Sequence, residues 1–78
     1  MTITTSARVR LDSTTLAAAT YDDRRETLQL DFRDGARYLY SGIAPSLYRA
    51  LLRAVSKGSF FNRHIRSHFP YVKITSEN

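Results

Sequence analysis

The sequence predicts an α+β domain in which a three-stranded antiparallel β-meander is packed on one face by two short α-helices. Three observations support this fold class: apolar and polar residues alternate over residues 26–33, an Asp-Gly turn signal follows directly, and apolar residues recur at helical spacing after Pro45. The 78 residues suffice for one small domain. We therefore treat residues 1–78 as a single domain and expect the polar residues 1–7 to be flexible.

Three segments have the character of β-strands, and a fourth is a candidate. Residues 15–22 lie between a Ser/Thr cluster and a pair of aspartates, as is typical of a strand bounded by turns. Residues 26–33 place apolar side chains on one face, and residues 36–41 form the returning strand of a hairpin. Residues 71–74 alternate again, so they are a candidate for a short strand at the C-terminal edge of the sheet.

The register of the hairpin decides where Tyr38 and Tyr40 point. A two-residue Asp-Gly turn would place both tyrosines on the polar face, where they would form a stacking surface. A three-residue loop, with Gly35 in the left-handed conformation, would instead pair them with Leu30 and Leu28 on the apolar face. A one-residue slip moves every side chain to the other face, so we favour the second register, which separates apolar from polar residues more cleanly. Both tyrosines are then mainly packing residues.

Two helices are predicted in the second half of the chain. Pro45 suits the first turn of the first helix, since its missing N–H would have no intrahelical partner there. The apolar residues on one arc of this helix are Leu47, Tyr48, Leu51, Leu52 and Val55. We expect Gly58 to end the helix in a left-handed conformation and Ser59 to cap the next one. That second helix covers about residues 60–68 and stops before Pro70.

The excess of positive charge lies in the second half of the chain. The formal net charge is +5, and residues 1–44 carry six basic and six acidic side chains, so all of the excess comes from the remainder. Arg49, Arg53 and Lys57 follow at intervals of four residues, which predicts a continuous basic stripe opposite the apolar arc. Such an asymmetry suggests a polyanion or an acidic protein as partner, although a basic surface can also serve solubility alone.

Composition and motifs narrow the class of function. The chain has no cysteine, which suits a reducing compartment, and no apolar run approaches the roughly 20 residues of a membrane span. No secretory signal is visible, so we expect a cytoplasmic protein without a membrane partner. His64 and His68 have a zinc-chelating spacing, but no further ligands lie nearby, so we expect half-buried histidines and no metal. Without a nucleophile motif or glycine-rich phosphate loop, we expect no enzyme activity, catalytic residue or cofactor.

Three segments follow one another in an order and spacing that resemble a known family; they are ATYD, LQLDFRDGARYLY and LYRALLRAVSKGSFFNRHIRSHFPY. Over residues 9–74 the chain resembles the KTSC domain, which occurs at the C-terminus of some lysyl-tRNA synthetases and as short stand-alone bacterial proteins. The residues that carry the resemblance best, and that we expect to be structural, are Tyr38, Tyr40, Gly58, Phe61 and Asn62. The family often has Val-Pro where this chain has Ile43-Ala44-Pro45. The resemblance implies a fold and, through the synthetases, an association with RNA, but no ligand residues.

We consider two functions of different classes. The first is nucleic-acid binding, to RNA in particular, with affinity that falls with salt. Sequence readout would be weak, because the favoured register leaves no aromatic row beside the basic residues. The second is a protein-interaction module that docks an acidic partner or accepts a strand at a sheet edge; an apolar patch amid the basic surface, for which Leu39 is the candidate, would favour it. The residues assigned to nucleic-acid binding are Arg49, Arg53, Lys57, Arg63 and Arg66, with Arg37 and Lys73 as flanks.

Overall fold

The sheet is larger than the predicted three-stranded meander. The computed structural model describes residues 8–74 and contains a five-stranded antiparallel sheet in the order β1-β2-β3-β4-β5. The strands are β1 (Arg8–Arg10), β2 (Leu16–Asp22), β3 (Thr27–Phe32), β4 (Arg37–Ser41) and β5 (Tyr71–Lys73). The α+β class is confirmed, the count of three strands is wrong, and β5 is the edge strand considered for residues 71–74. The predicted flexibility of residues 1–7 lies outside the described residues.

The local sequence of the additional strand β1 does not predict a strand, because it is three residues long and only Val9 in it is apolar. It is held by contacts with residues distant in sequence. Val9 lies opposite Ala19 of β2, and an Arg8 Nη2 lies 3.0 Å from a carboxylate oxygen of Asp31 in β3. The Gln29 side-chain amide donates to the same carboxylate over 2.9 Å. This polar cluster lies on the sheet face opposite the helices and fixes β1 where no hydrophobic pattern could predict it.

The β3–β4 hairpin has the register that the separation of apolar and polar residues favours. The backbone N–H of Phe32 donates to the Ala36 carbonyl over 2.8 Å, which closes a three-residue loop. Gly35 in this loop has a φ of 96°, the left-handed conformation expected of a bulged turn. Tyr38 and Tyr40 lie opposite Leu30 and Leu28, as predicted. Both tyrosines therefore belong to the face that the helices cover.

The second half of the chain folds into three consecutive helical segments. These are α1 (Pro45–Arg53), α2 (Lys57–Phe60) and α3 (Phe61–Ile65), the last of which is π-helical. Pro45 occupies the first turn of α1, as predicted. The second predicted helix corresponds to α2 and α3 together, which follow each other without a break. No helix within residues 8–74 has the length and apolar character needed to cross a membrane.

The first helix ends earlier than predicted. Ala54 adopts an extended backbone with φ −63° and ψ 138°, so α1 stops at Arg53. Val55 therefore leaves the apolar arc, and its exposed fraction of 103% shows that its predicted burial is wrong. Lys57 lies in the next helix, and its Nζ donates to the Ala54 carbonyl over 2.9 Å. The predicted continuous stripe is therefore wrong, because it is interrupted after Arg53.

Gly58 has a different role from the predicted left-handed stop. It lies inside α2, and the cap of this helix is Ser56 rather than Ser59, since the Ser56 Oγ accepts the Ser59 N–H over 3.3 Å. A Cβ on Gly58 would lie 3.0 Å from Oγ1 and 3.2 Å from Cβ of Thr15. The close approach of α2 to the chain that enters β2 therefore leaves little room for a side chain at this position.

The π-helical geometry of α3 displaces both histidines from their predicted positions. A hydrogen bond from the Arg66 N–H to the Phe61 carbonyl spans five residues, so positions along α3 do not follow the 3.6-residue period assumed for residues 60–68. The helix ends at Ile65, and Ser67 adopts a φ of 70°. His64 and His68 are exposed, so their predicted half-buried position is wrong.

The core lies between the sheet and the helices, which are attached near different parts of the sheet. Its largest fully buried side chains are Leu16, Leu28, Leu30, Ile43, Leu51 and Ile65. Helix α1 packs through Tyr48, whose ring stacks on Tyr21 of β2 with 4.5 Å between centroids. Segment α3 packs through Phe61, which meets Phe32 and Tyr40 edge to face. The space beside Phe61 is where the candidate site lies.

Replacing Gly35 by alanine is expected to destabilise the domain without any steric clash. A Cβ there would meet no atom within 4 Å, so the cost is that of a left-handed backbone, about 1–2 kcal/mol. Gly35→Asn should lose less, since asparagine tolerates this conformation. Urea denaturation followed by circular dichroism measures both variants. An alanine variant as stable as the wild type would contradict the bulged turn.

Gly58→Ala is expected to destabilise the domain by overpacking, at a cost of about 1–3 kcal/mol. The contact responsible is the one with the Thr15 side chain. In a Thr15→Gly background the same substitution should therefore cost clearly less, because the contacting atoms are gone. Thermal unfolding of the wild type, the two single variants and the double variant gives the free energy of coupling between positions 15 and 58. Equal losses in both backgrounds would show that Thr15 is not the reason for the glycine.

Candidate functional site

An open groove of about 550 Å³ lies between α3 and the β3–β4–β5 part of the sheet. We call it the aromatic groove, because five of its lining residues carry aromatic rings: Phe32, Tyr38, Tyr40, Phe61 and Tyr71. Its polar lining includes Asn62, Arg66, Ser67 and Asp34. The β4–β5 register places Tyr71 directly opposite Tyr40, so three tyrosines share one face of two neighbouring strands.

The rings form a floor and a more exposed rim. Tyr40 and Phe61 are each 4% exposed and form the floor, whereas Tyr38 is half-buried and Tyr71 is 56% exposed. Tyr38 meets Tyr71 edge to face with 5.5 Å between centroids, and it meets Phe32 edge to face at 5.7 Å. These contacts are favourable ring geometries, and they fix the orientation of Tyr38 from two sides.

A cation stands at the aromatic groove. Arg66 follows α3, is exposed, and donates through Nη1 to the Asn62 side-chain oxygen over 3.4 Å. Burial and the neighbouring hydroxyls of Tyr71 and Tyr38 raise the pKa of Tyr40, and the positive charge of Arg66 acts in the opposite direction. The guanidinium is therefore close enough to the tyrosines to act on them electrostatically.

The sequence pattern does not reveal this association of rings and charge. It predicted that no aromatic row accompanies the basic residues, and this is wrong for Arg66. Tyr71 is hard to place from the sequence, because it lies in a three-residue edge strand far from Tyr38 and Tyr40 along the chain. The available signal was its place in the alternating segment after Pro70, which suits a strand next to β4.

The two predicted flanking cations lie on opposite faces of the sheet. Lys73 lies opposite Tyr38 in the β4–β5 register, so its side chain shares the face of the aromatic groove. Arg37 lies opposite Asp31, on the face away from the helices. The structure therefore brings Lys73, but not Arg37, to the side of Arg66.

The helical cations are not equivalent. Arg53 and Arg63 are exposed and have no carboxylate partner within residues 8–74. Arg49 is also exposed, but it lies near the Tyr21 hydroxyl, where burial and nearby carboxylates, Glu26 in particular, raise the pKa of Tyr21 and Arg49 opposes them. Arg49 therefore lies in a region that also contains carboxylates, whereas Arg53 and Arg63 have no carboxylate partner within residues 8–74.

Four of the five residues that carry the sequence resemblance meet in the aromatic groove. Tyr38 and Tyr40 come from β4, and Phe61 and Asn62 come from α3. Gly58 lies in α2, against Thr15 at the end of the same groove. The rings of Tyr40 and Phe61 are buried, whereas Asn62 is exposed to solvent.

Comparison with known proteins identifies the family of this fold. The sequence profile of the KTSC domain matches residues 12–69. An uncharacterised protein from Stutzerimonas stutzeri is 37% identical over 68 residues, which are 86% of this chain and 96% of that protein. The crystal structure of a KTSC domain protein from Yersinia pestis superimposes with a TM-score of 0.86 at 30% identity, over 91% of this chain and all of that one.

One similar segment belongs to a much larger protein. The lysine–tRNA ligase of Nostoc punctiforme is 33% identical over 55 residues, which are 70% of this chain but only 10% of the ligase. The similarity therefore concerns one segment of the ligase and not its whole length.

The raised pKa of Tyr40 predicts a loss of stability at alkaline pH. The unfolded chain ionises at the ordinary value of 10.0 and the folded chain only at higher pH, so the stabilising contribution is complete below about pH 10 and falls as pH rises through the folded pKa. In Tyr40→Phe the free energy of unfolding should decrease less steeply with pH. Part of the decrease should remain, because the pKa values of Tyr21 and Tyr48 are also raised. Urea denaturation between about pH 8 and about pH 11 measures the slope. If the unfolding free energy of Tyr40→Phe depended on pH as steeply as that of the wild type, the raised pKa of Tyr40 would be contradicted.

Proposed function

The chain belongs to the KTSC domain family, and we propose that it is a non-catalytic module that binds RNA through the cationic side chains of its helical side. One observation carries the proposal: Arg53 and Arg63 project from the helical side without any carboxylate partner within residues 8–74. Arginines in such a position can neutralise phosphates without first breaking an ion pair. Arg66, at the aromatic groove, extends the same side.

Three arginines of the sheet side contrast with those of the helices. Arg8 pairs with Asp31, Arg25 lies 3.9 Å from an oxygen of Asp22, and Arg33 donates to the carbonyls of Leu11 and Ser13. These cations serve the fold, since each is engaged by a neighbouring acceptor. The excess charge of the second half of the chain therefore supports a polyanion partner on the helical side.

One of the similar proteins points to RNA as the polyanion. One relative is a lysine–tRNA ligase, whose name gives tRNA as a substrate of that enzyme, and this chain resembles a segment of it. We therefore propose that the chain is of the same type as the KTSC segment in such ligases, and that tRNA or another cellular RNA is its partner. A cytoplasmic location, where RNA is abundant, is part of the same proposal.

An interaction with another protein is the second candidate function. The observation that favours it is the exposed outer edge of β5, where Val72 is 59% exposed beside Leu39. An extended peptide could add a strand there, and the main-chain groups of the edge would supply the hydrogen bonds. An acidic protein that docks on the helical cations is the other form of this alternative.

Removal of two helical cations is expected to weaken RNA binding. Arg53→Gln/Arg63→Gln should lower affinity for fluorescein-labelled tRNA and single-stranded RNA about tenfold or more at low salt, because two phosphate contacts are lost. For single strands the salt slope should fall by about 1.4, at about 0.7 for each contact. Fluorescence anisotropy at several salt concentrations measures both quantities.

The matched control removes the same charge from the other half of the chain. Arg10→Gln/Arg24→Gln changes two exposed arginines of the sheet side and should leave affinity within about twofold at about 0.15 M salt, where exposed charges more than about 8 Å away are largely screened. Equal losses of affinity in both double variants would show that binding depends on net charge alone and not on where the cations lie. Binding of polyglutamate as tight as RNA would favour an acidic protein partner, and no binding of RNA would refute the proposal.

A further inference from the structure

The aromatic groove presents aromatic rings that remain partly exposed to solvent. In an edge-to-face pair one ring offers only its edge, so the rings cannot cover each other as they would in a stack. Tyr38 and Tyr71 form such a pair, with 79° between ring planes, and they lie at the rim above the buried floor. Tyr71 stands next to Tyr40 at 5.4 Å, and more than half of its surface remains exposed. The rim therefore offers a preoriented aromatic surface to a planar ligand.

The charged and polar groups around the aromatic groove favour an anion attached to that planar ligand. The guanidinium of Arg66 lies at the groove, held by the Asn62 side chain, and Lys73 shares the face of Tyr38. Asp34 is the carboxylate of the lining, and its Oδ1 accepts the backbone N–H of Ala36 in the hairpin turn. Arg66 and Lys73 thus place two cations on the side of the tyrosines, against the one carboxylate of Asp34.

A planar aromatic group joined to an anion is the description of a nucleotide. We propose that the aromatic groove binds an unpaired nucleobase of RNA, with Tyr71 and Tyr38 as stacking surfaces and Arg66 against the adjoining phosphate. This inference rests on the proposed RNA binding and adds a site to it. Stacking on aromatic side chains tolerates any base and is typical of proteins that bind single strands.

The size and openness of the aromatic groove agree with this ligand. Its volume of about 550 Å³ lies within the roughly 300–1,000 Å³ of pockets that take small organic ligands. Asn62 supplies a side-chain amide, a group that can hydrogen-bond the edge of a base. A base paired in a duplex is stacked on its neighbours and cannot enter, so the site selects unpaired RNA over duplex RNA.

The experiment separates base stacking from phosphate contact. Three fluorescein-labelled probes of nearly equal phosphate number are compared by anisotropy: a single-stranded RNA of about twenty nucleotides, the same strand with abasic residues, and a duplex of about ten base pairs. The wild type should bind the intact strand about tenfold more tightly than the abasic strand or the duplex, which is the range of one stacked base. Tyr71→Ala should remove this preference and leave the affinity for the abasic strand unchanged.

Two control variants show whether the ring itself is responsible. Tyr71→Phe keeps the ring and should keep the preference. Val72→Ala shortens the neighbouring residue of β5, which is exposed to a similar extent but points to the other face of the sheet, and it should also keep the preference. Circular dichroism and thermal unfolding show that each variant is folded.

A second readout does not depend on loss of binding. The chain contains no tryptophan, so Tyr71→Trp gives a single fluorescent reporter at the rim of the groove. The intact strand should quench this emission, and the abasic strand at equal saturation should not. RNA binding with equal affinity for intact and abasic strands, or without quenching, would overturn the inference and leave the proposed RNA binding in place. Failure of every RNA probe to bind would overturn both.

Discussion

The left-handed turn at Gly35 sets the relation between the sheet and everything that lies on it. It adds one residue to the β3–β4 loop, and this residue decides that Tyr38 and Tyr40 face the helices rather than the opposite side. With the other register the rings of β4 would lie on the polar face, and Phe61 would lose its edge-to-face partner Tyr40. The core below α3 and the aromatic groove beside it therefore both depend on one backbone conformation.

The two helical regions divide the covered face of the sheet between them. Helix α1 is anchored by the stacked rings of Tyr48 and Tyr21, and the Tyr21 hydroxyl donates to the Ile43 carbonyl over 2.6 Å. Segment α3 is anchored by Phe61, whose ring meets those of Phe32 and Tyr40 edge to face. Bulky rings that pack edge to face leave irregular space at their rim, and β5 extends the sheet beneath it. The aromatic groove is thus a consequence of the way in which Phe61 of α3 packs on the sheet.

The distribution of charge follows the same division of the molecule. On the sheet side, Arg8 pairs with Asp31 and Arg25 lies near Asp22. On the helical side acidic residues are absent from residues 45–74, so the cations there have no local partners of opposite charge in the sequence. Mutual repulsion on such a surface is unfavourable and is relieved by a bound polyanion, which is the physical basis for preferring this side as the interface.

The sequence by itself determined the α+β class, the central hairpin and its register, and the start of the first helix. In each case the signal is local: alternation over residues 26–33, glycine where φ is positive, and Pro45 where no N–H is needed. It also determined which half of the chain carries the unmatched charge.

Only the tertiary structure decided the features that depend on distant neighbours. Strand β1 is held through Arg8 and β2, Gly58 lies close against Thr15, and the end of α1 exposes Val55. The π-helical form of α3 changed which side chains face outward, because its hydrogen bonds break the period on which helical patterns rest. The aromatic groove belongs to this group. Its rings come from strands and a helix that are separate in sequence, and only pairing of β4 with β5 brings Tyr71 to Tyr40.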